Sequence, residues 1–147
     1  MDYGRARIGL AIASVEARVA RPLTTLERIN RNEDIRRLRE LVRDHGVKQI
    51  VVGLPLLLDG TRGEMAEEAE RFAQRARKQT GVPVDMVDER LTSWEAERLL
   101  EEEFGKKYRD EPEKKKKTPH DKPTVDSVAA AVILREYLAR VDAKERA

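Results

Sequence analysis

The chain has 147 residues, a net charge of +2 and no cysteine. That is enough length for one layered core, and it excludes disulfides, thiolate nucleophiles and Cys-ligated zinc. Two histidines, His45 and His120, leave little for a His-based metal site or a Ser-His-Asp triad. Charged residues make up 39% and aromatics 4%, so the surface is heavily solvated and stacking of bases on aromatic platforms is disfavoured. No apolar run approaches the roughly 20 residues that span a bilayer, and no secretory h-region opens the chain. A cytoplasmic protein with no membrane partner is expected.

Arg7 to Ser14 alternates and is rich in Ile, Leu and Ala, which predicts a strand. Val19 to Leu26 predicts a second strand, joined to the first as a hairpin through "VEAR". Asn32 is placed to cap a helix whose first turn carries Glu33 and Asp34, where acids suit the macrodipole. Ile35, Leu38, Leu41 and Val42 keep helical spacing, and "HG" at 45–46 stops the helix. "QIVVG" at 49–53 is a continuous apolar run, as in a strand buried on both faces.

A helix from about Gly63 presents Met65, Ala69, Phe72 and Ala76 on one face and ends at Gly81 and Pro83. "VDMV" at 84–87 is the next strand. A helix from Ser93 to about Phe104 follows, with Thr92 and Glu95 spaced as a capping box. Charge then changes sign along the chain. Glu95 to Glu103 holds five Glu against one Arg, whereas Lys106 to Lys122 holds eight basic residues against four acidic ones. The stretch from Gly105 to Pro123 is polar, Lys-rich and proline-punctuated, which predicts a mobile loop. A last helix is expected from Val125 to about Arg140, burying Val128, Ala129, Val132 and Tyr137. Hairpin, β-α-β-α units and a final helix predict a single α/β domain over 1–147. Its sheet should be mixed and flanked by helices.

Acids sit at strand ends and helix starts. Asp2 lies in "MDYG", Glu89 follows the strand at 84–87, and Asp126 falls in the first turn of the last helix. In open α/β sheets, ligands collect at the carboxyl ends of parallel strands. Three carboxylates converging there would repel one another unless a cation neutralised them. Hard divalent ions such as Mg2+ or Mn2+ accept all-oxygen ligands, and two of them about 3.5–4 Å apart can drive phosphodiester cleavage. Position alone leaves plainer readings open: Asp126 favouring the helix dipole, Glu89 paired with Arg90, Asp2 a frayed terminal residue.

Four blocks carry a further signal: "DYGRARIGLAIAS", "VVGLPLLLDGTRGE", "VDERLTSWEAERLL" and "VDSVAAAVILREYL". In this order they resemble the successive signature blocks of the YqgF/RuvX family, over nearly the whole chain outside the Lys-rich loop. The resemblance implies an RNase H-like three-layer fold. It also implies a nuclease of the kind linked to 5′-end processing of pre-16S rRNA, or to Holliday-junction resolution. Asp2, Glu89 and Asp126 match the acids that would hold Mg2+ or Mn2+ in a RuvC-type site. Arg7 and Gly9 match the R-I-G turn, and Arg90 follows the matched Glu. Gly53, Leu54 and Pro55 match the G-L-P corner, and Asp59 is a secondary candidate that a turn explains equally well. Strand alternation would send Asp88 to the face opposite Glu89.

One departure stands out: only Met1 precedes Asp2, where the family carries several apolar residues. Either the first strand is truncated or another segment fills the gap; Asp2 is then expected to be poorly preorganised, with nuclease activity weakened or absent. The Lys-rich loop contains four consecutive lysines, Lys114, Lys115, Lys116 and Lys117. They are either part of a solvated charge run or an electrostatic clamp for phosphates. Structured RNA is the first expected substrate and branched DNA the second, the latter requiring a symmetric dimer. A catalytically silent nucleic-acid-binding module is the reading from another class.

Overall fold

The computed structural model of the chain describes residues 1–14, 16–55, 57, 59–88, 98, 102 and 124–146. Among the described residues five strands and three long helices follow one another: β1 (Asp2–Tyr3), β2 (Arg7–Ala13), β3 (Ala20–Glu27), α1 (Arg31–His45), β4 (Ile50–Leu54), α2 (Glu64–Thr80), β5 (Val84–Asp88) and α3 (Val125–Arg146). The first three strands form an antiparallel meander, β1-β2-β3, while β4 and β5 pair in parallel. The predicted mixed α/β arrangement is what forms.

Met1 joins the two sets of strands. Its amino group donates to the Val51 carbonyl, and the Gly53 amide donates to the Met1 carbonyl at 2.9 Å. Those two bonds are the pattern of a parallel bridge opposite Val52. The first strand is two residues long. The backbone around it is nonetheless bonded to β2 on one side and β4 on the other.

Alternation along the strands divides the core into two faces. Met1, Tyr3, Ile8, Leu10, Leu26, Ile50 and Val52 pack with Ile35 and Leu38 of α1 and with Ala69, Phe72, Ala73 and Ala76 of α2. On the other face Val51 and Val87 meet Ile133 of α3, and Ala11 meets Ala131 and Val132. Helices thus cover both faces of the strands, and β4 is buried on each side, as its unbroken apolar run implies.

Two details differ from the sequence reading. Asn30, not Asn32, caps α1: its Oδ1 accepts the Glu33 amide at 2.9 Å, while Asn32 lies inside the first turn. A cap stands outside the helix in extended backbone, two or three residues before the amide it satisfies, and Asn30 does. The helix ends as expected, at Gly46 in the left-handed region with φ 61°. The last helix runs to Arg146, and its buried residues are Ser127, Ala130, Ala131, Val132 and Ile133. Val128, Ala129 and Tyr137 are only half-buried. A helix lying across several strands is covered over more than one stripe, which a single-face reading does not anticipate.

Candidate active site

Gly9 is the pivot of the site. It pairs with Asp2 of β1 on one side and Thr25 of β3 on the other. Directly opposed residues in antiparallel strands project from the same face, so Asp2, Gly9 and Thr25 form one row. A Cβ built on Gly9 would lie 2.0 Å from the Asp126 carbonyl oxygen and 3.0 Å from the Asp126 Cβ. The first turn of α3 therefore rests directly on this row, in space that only glycine leaves open. Met1 and Tyr3 bury their side chains toward α1 and α2, which leaves Asp2 for the α3 face. Two carboxylates far apart in the chain, Asp2 and Asp126, are brought to one face around one glycine.

Hydroxyl groups seat the α3 terminus. The Thr124 Oγ1 accepts the Ser127 amide at 3.0 Å, and the Ser127 Oγ accepts the Thr124 amide at 2.7 Å. This is a reciprocal cap with Ser in the place Glu or Gln usually takes. Ser127 is fully buried, and the Thr124 hydroxyl also bonds the Thr25 hydroxyl on the row beneath. Sequence reasoning misses Thr25, Thr124 and Ser127, although the T-x-x-S spacing at 124–127 is a usable cap signal.

Arg7 reaches the site from the start of β2. Its Nε donates to Asp126 Oδ2 at 3.0 Å, with the Arg7 side chain 59% and that of Asp126 35% exposed. A pair this open to water is screened and holds its geometry weakly, so Asp126 keeps room for a further partner. Asp59 caps its own turn instead, accepting from the Thr61 amide at 2.9 Å and the Thr61 hydroxyl at 2.6 Å. Gly53 and Leu54 end β4, with Pro55 after them.

Several expected site residues lie outside the described ones: Glu89, Arg90, and the lysines Lys114, Lys115, Lys116 and Lys117. So does the helix expected from Ser93 to Phe104, apart from Arg98 and Glu102, which are helical. The structure therefore brings Asp2, Asp126 and Arg7 together and leaves the proposed phosphate clamp of Lys114, Lys115, Lys116 and Lys117 a reading from sequence. Among the described residues no group of three or more His, Cys, Asp or Glu side chains gathers as a metal cluster. A cavity of about 760 Å³ opens elsewhere, beyond Met1, between Leu10–Ser14 of the hairpin, the end of α1 and Leu134–Val141 of α3. Its described lining includes no carboxylate.

The fold is that of an α/β domain with helices on both faces of its strands, and comparison with known proteins places it in a family. Residues 1–140 match the family model RuvX, described as Holliday junction resolvase. A protein of Anaeromyxobacter dehalogenans (strain 2CP-C) named "Putative pre-16S rRNA nuclease" is 44% identical over 95% of this chain and 94% of its own length. Proteins of the same name from Chloroflexus aurantiacus and Thermosynechococcus vestitus are 42% and 35% identical over 94% of this chain, covering 83% and 84% of their own lengths. The solved structure of Thermus thermophilus RuvC superposes with a TM-score of 0.57 at 17% identity, over 96% of this chain and 93% of that one. The chain belongs to the RuvX family, and its fold is RNase H-like. Among the described residues no helix is long and apolar enough to cross a membrane.

Proposed function

We propose that the chain is a cytoplasmic, metal-dependent endonuclease acting on structured nucleic acid, with the 5′ end of pre-16S rRNA as its first substrate. The observation that carries this is the convergence of Asp2 and Asp126 on one face around Gly9. The names of the relatives favour the rRNA precursor.

Asp2 and Asp126 offer hard oxygen donors, the chemistry that suits Mg2+ or Mn2+. On β5, Asp85 bonds Tyr137 of α3 and Val87 packs against Ile133 of α3. Glu89 is the third ligand in this reading, on its match to the acid of the family's D-E-R block. Bound divalent cations supply water activation and stabilisation of the leaving oxygen. The chain's own work is to orient. Thr124, Ser127 and Gly9 hold the helix start that carries Asp126, and Arg7 offsets the Asp126 charge. Arg7, Arg90, Lys114, Lys115, Lys116 and Lys117 hold phosphates, and Asp59 stays a secondary candidate.

A second reading, cleavage of branched DNA by a dimer, is favoured by the description of the family model. A silent binding module is the third. Purified wild type, Asp2→Asn and Asp126→Asn would be assayed with Mn2+ and with Mg2+ on a labelled rRNA precursor and on a four-way junction. We expect whatever cleavage wild type shows to fall by about 100-fold or more in each variant. Cleavage that survives both changes, or needs no divalent ion, refutes the site. Preference for the junction selects the second reading, and binding without cleavage of either substrate selects the third.

A further inference from the structure

At the same end of the strands as Asp2, the opposite face carries a cluster of guanidinium groups. Arg28 follows β3, Arg31 opens α1, and Arg71 and Arg75 lie one turn apart in α2. Arg28 fixes the geometry. Its Cζ stands 4.9 Å from the Tyr3 ring centroid and 5.9 Å from that of Phe72, and its Nη1 donates to the Tyr3 hydroxyl at 2.7 Å. Arg71 and Arg75 stand one residue before and three residues after Phe72 in α2, the ring on which Arg28 lies.

The neighbouring carboxylates are already taken. Arg5 bonds Glu68 at 3.1 Å and Glu64 at 3.4 Å, and Asp34 receives both Arg28 and Arg37. Glu68 feels Arg71 only at longer range. Among the described residues none of Arg31, Arg71 and Arg75 forms an ion pair, although Arg75 is half-buried. Burial, and then the like charges of Arg31, Arg71 and Arg28, hold the Arg75 guanidinium below the usual arginine range. Complementing the helix dipole does not explain them, because Arg77 and Lys78 fill that role in the last turn of α2. A half-buried guanidinium set among like charges is costly unless an anion completes the group.

We propose that Arg31, Arg71 and Arg75 form a contact for the phosphodiester backbone, so that nucleic acid held near Asp2 and Asp126 continues around the end of β1 onto the α1–α2 face. β1 supplies the path: Asp2 faces α3, Tyr3 faces Phe72, and Arg5 turns onto α2. This rests on the nucleic-acid reading above and adds a second surface to it.

The test is binding by the full chain carrying Asp126→Asn, to prevent cleavage, against a labelled RNA stem-loop and a four-way DNA junction over a range of salt. Adding Arg31→Gln, Arg71→Gln and Arg75→Gln together should weaken binding at low salt. The plot of log affinity against log salt should become shallower by about 2–3 on duplex, at roughly 0.9 per lost phosphate contact. Should the triple variant melt early, exposed Arg71→Gln alone should cost about one such contact. An unchanged slope in a folded variant overturns the proposal, even if wild type cleaves. A changed slope with a wild type that cuts nothing keeps the surface and removes only the nuclease reading.

Discussion

Asp34 and Asp126 are both acids in the first turn of a helix, and the fold treats them in opposite ways. Asp34 is 1% exposed and has every need met: the Ile29 amide at 3.0 Å, Arg28 at 3.1 Å and Arg37 at 3.0 Å. Asp126 is 35% exposed and, among the described residues, bonds one half-solvated arginine. A buried carboxylate with a full set of donors has no capacity left for a ligand, whereas one held by a single open ion pair does. The first fastens α1 to the end of β3; the second is left open to a further partner.

Removing the charge from each acid should separate the two roles. Asp34→Asn leaves two partly buried guanidinium groups without their partner and should cost about 3 kcal/mol in urea unfolding. Cleavage by the fraction that stays folded should be close to normal. Asp126→Asn should reverse that pattern, with stability within about 1 kcal/mol of wild type and activity lost. Equal destabilisation by the two changes would erase the distinction.

Gly9→Ala comes next in size. Its methyl group would meet the Asp126 carbonyl at 2.0 Å, so the first turn of α3 must move. A loss of about 2–3 kcal/mol is expected, with cleavage falling further than stability alone would explain. An alanine variant that melts and cuts like wild type would show that the close approach does not set the site.

A pH series tests the same contrast. Burial alone would raise the Asp34 carboxyl, but the Ile29 amide, Arg28 and Arg37 outweigh it and hold the group below its ordinary 3.8. A depressed folded value means that the stabilisation is present above the unfolded value and is lost as pH falls through the folded one. The stability gap between wild type and Asp34→Asn should therefore be widest near neutrality and close below about pH 4. A gap that stays constant to lower pH would count against a charged Asp34. The smallest effect belongs to Arg7→Gln, which breaks an exposed pair and should change stability by less than about 1 kcal/mol. A larger loss on melting would mean that Arg7 holds the fold as well as the site.

Much of the fold can be read along the chain because its signals are local. Alternation marks β2 and β3, an unbroken apolar run marks β4, and His45-Gly46 marks the end of α1. Asp2 and Asp126 are candidates from their places beside a strand and a helix start, together with the family blocks around them. Asn30 escapes notice as a cap because two asparagines compete two positions apart, and backbone geometry chooses between them. Val132 apart, the buried set of α3 escapes because its apolar residues run around the helix, so that no period selects a face.

Order of elements, absence of thiol chemistry and identity of the candidate acids thus follow from the linear pattern. That Asp2 and Asp126 share one face, that Arg7 pairs with Asp126, and that Asp34 is consumed by its neighbours emerge only on folding. The reason is physical: strand register and helix docking are set by packing between residues far apart in the chain, and the pattern along the chain does not encode those distances.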